Sequence, residues 1–94
     1  MTLLEFKNTL TSQAPPAGVN TLLQALWYEA KGNWHRAHEI VQDLDSRDAA
    51  WIHAYLHRKE GDLGNASYWY RLAGRNVSSS SLTEEWENIV SALL

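Results

Sequence analysis

The chain carries the same punctuation twice. Ala30-Lys-Gly-Asn-Trp-His-Arg-Ala37 superimposes on Lys59-Glu-Gly-Asp-Leu-Gly-Asn-Ala66 at an offset of 29 residues, pairing Gly32 with Gly61, Asn33 with Asp62, Trp34 with Leu63 and Ala37 with Ala66. Each position has a physical role. Glycine takes the backbone conformation that ends one helix, Asn or Asp caps the next, a large apolar residue plugs the corner, and alanine lets the two helices approach closely. A duplicated unit of this kind specifies stacked helical hairpins, and it leaves little room for any other fold.

The rest of the chain agrees. Thr2-Leu-Leu-Glu5 has the form of a capping box, followed at helical spacing by Leu3, Phe6 and Leu10. Pro15-Pro16 then prepares a second helix over about 17–31, with Val19, Leu22, Leu23, Leu26 and Trp27 as its apolar stripe. A third helix follows Asn33 with Trp34, Ala37, Val41 and Leu44 inward, and Asp45-Ser46 turns the chain into a fourth over about 47–60. Asp62 caps a fifth, whose inner face reads Leu63, Ala66, Tyr70 and Ala73 and which closes at Gly74. After a serine run, Ser81-Leu-Thr-Glu84 opens a last helix with Leu82, Trp86, Ile89, Val90 and Leu93 on one side. No strand pattern competes. The expected fold is all-α: one domain over 1–94 forming a right-handed stack of about six helices, with hairpins at about 17–44 and 47–74. Helices at about 2–11 and 82–94 are expected to cap its two open ends, because each pair exposes an apolar face.

Composition narrows the function. The absence of cysteine removes disulfides, thiolate metal sites and cysteine nucleophiles, and a cytoplasmic setting is the simplest expectation. A net charge of −3, with no basic cluster beyond Arg58-Lys59, speaks against nucleic acid as a partner. No signal-like N-terminus or long apolar run is present, so neither export nor a membrane partner is expected. No nucleotide-binding or nucleophile-elbow motif occurs, and no residue set reads as catalytic. Glu84, Glu85 and Glu87 read as helix capping and solubility. Five tryptophans and four tyrosines against one phenylalanine mean that most large rings carry a polar hydrogen needing a partner when buried.

Gly-Asn-Trp-x-x-Ala and Gly-Asp-Leu-x-x-Ala, followed by Tyr68-Trp-Tyr-Arg-Leu-Ala73, resemble tetratricopeptide and Sel-like repeats over about 19–75. The 29-residue offset is shorter than the usual period of about 34, so the turn between pairs is expected to be tight. The chain is also similar to a group of small bacterial proteins of unassigned function that carry His-Ala-Tyr-Leu-His-Arg-Lys-Glu-Gly-Asp, here His53 to Asp62. The repeat resemblance implies a protein-interaction or adaptor module whose concave groove is lined by the first helix of each pair. It places Leu22, Leu26, Glu29, Asp48, Trp51, Tyr55, Arg58 and Lys59 on that side. Arg58 and Lys59 would hold the carboxylate of a protein or peptide partner while Trp51 and Tyr55 cover its apolar part. The same two rings, at i and i+4, equally suit a core. A monomer is expected, with weak homodimerisation left open.

Four histidines form the second candidate site. His35 and His38 share one face of the third helix, and His53 and His57 share one face of the fourth. With the turn near Asp45-Ser46 and a rise of about 1.5 Å per residue, His38 comes level with His53, and His35 nearly level with His57. Three readings are open. The imidazoles form a structural network satisfied by Tyr28, Gln24, Glu60 or backbone carbonyls; they hold a divalent transition metal through His38, His53 and His57, with His35 or Glu39 as fourth ligand; or one serves as an acid–base group. The spacing is not the His-Glu-x-x-His of zinc proteases, and no other cofactor is indicated.

Overall fold

Asp62 ends one helix and begins another. Its N–H donates to the His57 carbonyl at 2.9 Å while Gly61 N–H reaches the Arg58 carbonyl at 3.1 Å, the paired bonds of a left-handed helix terminus. The Asp62 side chain then accepts the Asn65 N–H at 3.2 Å and caps the next helix. Asn33 does the same one repeat earlier, donating to the Tyr28 carbonyl at 2.9 Å and accepting from Arg36 N–H at 3.1 Å. Both junctions need a residue at positive φ, and Gly32 (86°) and Gly61 (87°) supply it.

The computed structural model describes residues 1–94 and holds six helices and no strand. They are α1 (Leu3–Asn8, continued by a 3-10 turn over Thr9–Thr11), α2 (Thr21–Ala30), α3 (Trp34–Gln42), α4 (Arg47–Glu60), α5 (Leu63–Ala73) and α6 (Leu82–Leu93). The Thr2–Glu5 box forms in full at α1, whereas at α6 Ser81 accepts the Glu84 N–H at 3.1 Å. α2 starts later than the periodicity suggests because Asn20 caps it, accepting from Leu23 N–H at 2.8 Å.

α2 pairs with α3 and α4 with α5, and the pairs stack through α3 and α4. α4 is therefore the central element, and Ala49 through His57 are all buried. A helix buried on every side divides its polar residues between its neighbours. Trp51, Tyr55 and Arg58 face one way, and His53 and His57 the other.

α6 does not cap the far end of the stack as the sequence suggested. It crosses the inner face and packs on α2, α4 and α1. Trp86 donates Nε1–H to the Leu26 carbonyl at 3.1 Å and lies 6.0 Å from the Phe6 ring, centroid to centroid, while Ile89 and Val90 are fully buried. Two further expectations of burial are corrected. Leu63 is 63% exposed because no hairpin follows α5 to receive its face, and Leu44, 39% exposed, lies past the end of α3 in the turn to α4. The repeat-equivalent Trp34 does have a following hairpin, and its Nε1–H donates to the Leu56 carbonyl at 2.8 Å.

Candidate functional site

Two constellations lie on opposite sides of α4. On the inner side, two buried carboxylates face two cations. Glu85 of α6 accepts Arg58 Nη1–H at 2.8 Å, Trp51 Nε1–H at 3.2 Å, and the Tyr70 hydroxyl at 2.6 Å and 2.8 Å to its two oxygens. Arg58 also donates Nη2–H to the Ser80 carbonyl. Glu29 of α2, equally buried, pairs with Lys59, whose own side chain is about half exposed. Burial raises the phenols of Tyr55 and Tyr70 well above the usual tyrosine range. The negative charge of Glu29 and Glu85 adds to the shift at Tyr55, and hydrogen bonding to Glu85 adds to it at Tyr70.

The expectation of an open groove is thereby corrected at Trp51 and Arg58. Both are on the predicted face, but α6 covers them and Glu85 uses their donors, with Arg75 lying 3.3 Å over the Trp51 ring. Glu85 itself was not legible as a functional residue. Among acidic neighbours at a helix start it looks like capping, and nothing local distinguishes it from Glu84, which is exposed, or Glu87, which bonds Lys7 at 3.2 Å. What remains of the groove is a cavity of about 380 Å³ between the 3-10 turn, α2, α4 and the start of α6. Glu29, Tyr55 and Lys59 line it together with Leu10, Leu82 and Trp86. Three of the eight residues expected on the groove side thus share one cavity.

On the other side of α4, His38, His53 and His57 converge, each with one ring nitrogen within 4.8 Å of the others. His38 Nε2 and His53 Nε2 are 3.0 Å apart, and His57 Nδ1 bonds Glu60 Oε1 at 2.6 Å. Aromatic rings close the cluster. Trp69 of α5 stacks on His53 at 3.8 Å between centroids, and Trp34 stacks on His38 at 4.9 Å. Burial pushes His53 down to about 4, with the neighbouring His38 and His57 adding to the shift. Burial likewise lowers His38, followed by the charge of His57.

The fourth histidine does not join them. His35 is exposed and packs edge-on against Trp34, because three residues of helix leave it about 60° round from His38. Glu39 is also exposed and outside the group. Of the network partners considered, Glu60 takes part. Gln24 instead donates to the Val19 carbonyl at 3.3 Å, and the Tyr28 ring meets Trp27 and Arg36. Comparison with protein-family models, curated proteins and solved structures finds no match to this chain. No helix is long and apolar enough to cross a membrane.

Proposed function

We propose that the chain is a small tetratricopeptide-like binding module that works in the cytoplasm and takes a peptide segment of a partner protein into its inner cavity. The supporting observation is the cavity itself, where Glu29, Tyr55 and Lys59 meet the apolar walls of Leu10, Leu82 and Trp86. Lys59 has three donors and gives one to Glu29, so its half-exposed ammonium has donors left for a carboxylate at the mouth. An apolar side chain beside an acidic group, or beside a free C-terminus, is the chemistry such a cavity fits. Its apolar body gains burial while its charge stays at the rim. Trp51 and Arg58 act indirectly in this reading, by seating α6 so that Leu82 and Trp86 form a wall.

Selection of a displayed peptide library on the intact protein tests this reading. Enrichment of peptides pairing an apolar residue with a carboxylate is expected, with at least tenfold weaker binding to Lys59→Glu that keeps its helical circular dichroism. No consensus, or a consensus indifferent to Lys59→Glu, would overturn it.

A further inference from the structure

The histidine cluster has lone pairs to spare and too few donors. Two neutral imidazoles that face each other through Nε2, as His38 and His53 do at 3.0 Å, share a single proton between two nitrogens. His53 is only 5% exposed, and its Nδ1 finds no partner at all. Glu60, when ionised, only accepts hydrogen bonds, so the proton in the 2.6 Å contact sits on His57 Nδ1 and the Nε2 of the neutral ring is left as a lone pair. A hydrogen-bond network confined to these side chains is therefore incomplete at its most buried member.

A cation between the facing Nε2 atoms of His38 and His53 takes both lone pairs without a shared proton, and leaves the His53 ring proton on Nδ1. We propose that His38, His53 and His57 bind one divalent first-row transition ion, zinc foremost, with Glu60 orienting His57. The donor set is three imidazoles with no thiolate, which suits zinc, copper or nickel rather than magnesium or calcium. In a tetrahedral site with bonds of about 2.0–2.1 Å, ligand nitrogens stand about 3.3 Å apart. The His38–His53 separation of 3.0 Å is already close to such an edge, and the third nitrogen lies within 4.8 Å. A carboxylate on the far nitrogen of a ligating histidine sets its tautomer and orientation, which is the relation of Glu60 to His57. His38 is only partly buried, so the fourth position opens to solvent beside it and takes water or a small exogenous ligand. This site lies across α4 from the peptide cavity and does not depend on it.

Protein purified without a histidine tag, stripped of metal and titrated with cobalt(II) and then zinc(II), tests the assignment. One equivalent of cobalt is expected, with the strong visible absorption of a tetrahedral complex, displaced by zinc. Affinity is expected to fall at least about tenfold in His38→Ala and about 10–100-fold in Glu60→Gln, and to stay unchanged in His35→Ala, which lies outside the cluster. Binding of less than about a tenth of an equivalent would overturn the proposal, as would a loss in His35→Ala matching that in His38→Ala. If His38→Ala does not fold, Glu60→Gln decides: it leaves all three ligands in place at an exposed position, and undiminished affinity would overturn the proposal.

Discussion

Glu85 and Arg58 lie 27 positions apart in the chain and 2.8 Å apart in the fold, and their contact locks α6 onto α4. Removing one member of a buried ion pair strands the other, at a typical cost of roughly 3–5 kcal/mol. Glu85→Ala would also leave the Tyr70 hydroxyl and the Trp51 indole without their acceptor. A loss of that size is expected in urea unfolding, with part of it recovered when Arg58→Met is added, since the two sites share one network. A loss below about 1 kcal/mol would mean that α6 is held by its apolar face alone.

The glycines of the second repeat separate conformational from steric effects. No heavy atom lies within 4 Å of a Cβ built at Gly61 or at Gly64, so neither substitution meets a clash. At Gly61, with φ at 87°, alanine is expected to cost about 1–2 kcal/mol for the left-handed backbone. Inside α5, Gly64→Ala is expected to stabilise by about 0.5–1 kcal/mol. Thermal unfolding of the two variants should move in opposite directions.

Trp34 and Leu63 occupy equivalent places in the repeat and unequal places in the fold. Trp34→Phe removes the donor to the Leu56 carbonyl and is expected to cost about 0.5–1.5 kcal/mol. Leu63→Ser, at a position 63% exposed, is expected to change stability by no more than about 0.5 kcal/mol. Equal effects in denaturant melts would contradict the difference in packing.

Acid should act first at His53. The groups that face it are His38 from α3 and His57 from its own helix, while α5 brings the neutral ring of Trp69. Its folded pKa of about 4 lies below the ordinary 6.5, so the unfolded chain binds the proton more readily. The stability that depends on a neutral His53 is complete above about pH 6.5 and is lost progressively as pH falls toward about 4. His53→Phe, which keeps a ring against Trp69, should flatten that fall when urea midpoints are compared between about pH 7 and pH 5. An unchanged slope would assign the acid sensitivity to other groups.

Much of the candidate chemistry was legible because helix register is regular. Once Asp45 and Ser46 make the turn between α3 and α4, the positions of His38, His53 and His57 follow from rise and rotation, and the three rings meet. His35 was misplaced by the rotation that three residues leave over. The groove face was legible too, since Glu29, Trp51, Tyr55, Arg58 and Lys59 all fall on the side where α2 and α4 meet α6 or the inner cavity. Its occupant was not. The acidic start of α6 has the same local signature whether Glu85 points to water or to Arg58.

The helix ends, and hence the two hairpins, follow from the amino-acid order alone. A glycine at positive φ and a capping side chain act through hydrogen bonds spanning five residues or fewer, and those bonds form wherever the segment is placed. Tertiary structure alone decided where α6 lies and which of its acids is buried. Burial of a charge depends on partners brought from elsewhere in the chain, and Trp51, Arg58 and Tyr70 come together around Glu85 only after α4 and α5 have stacked.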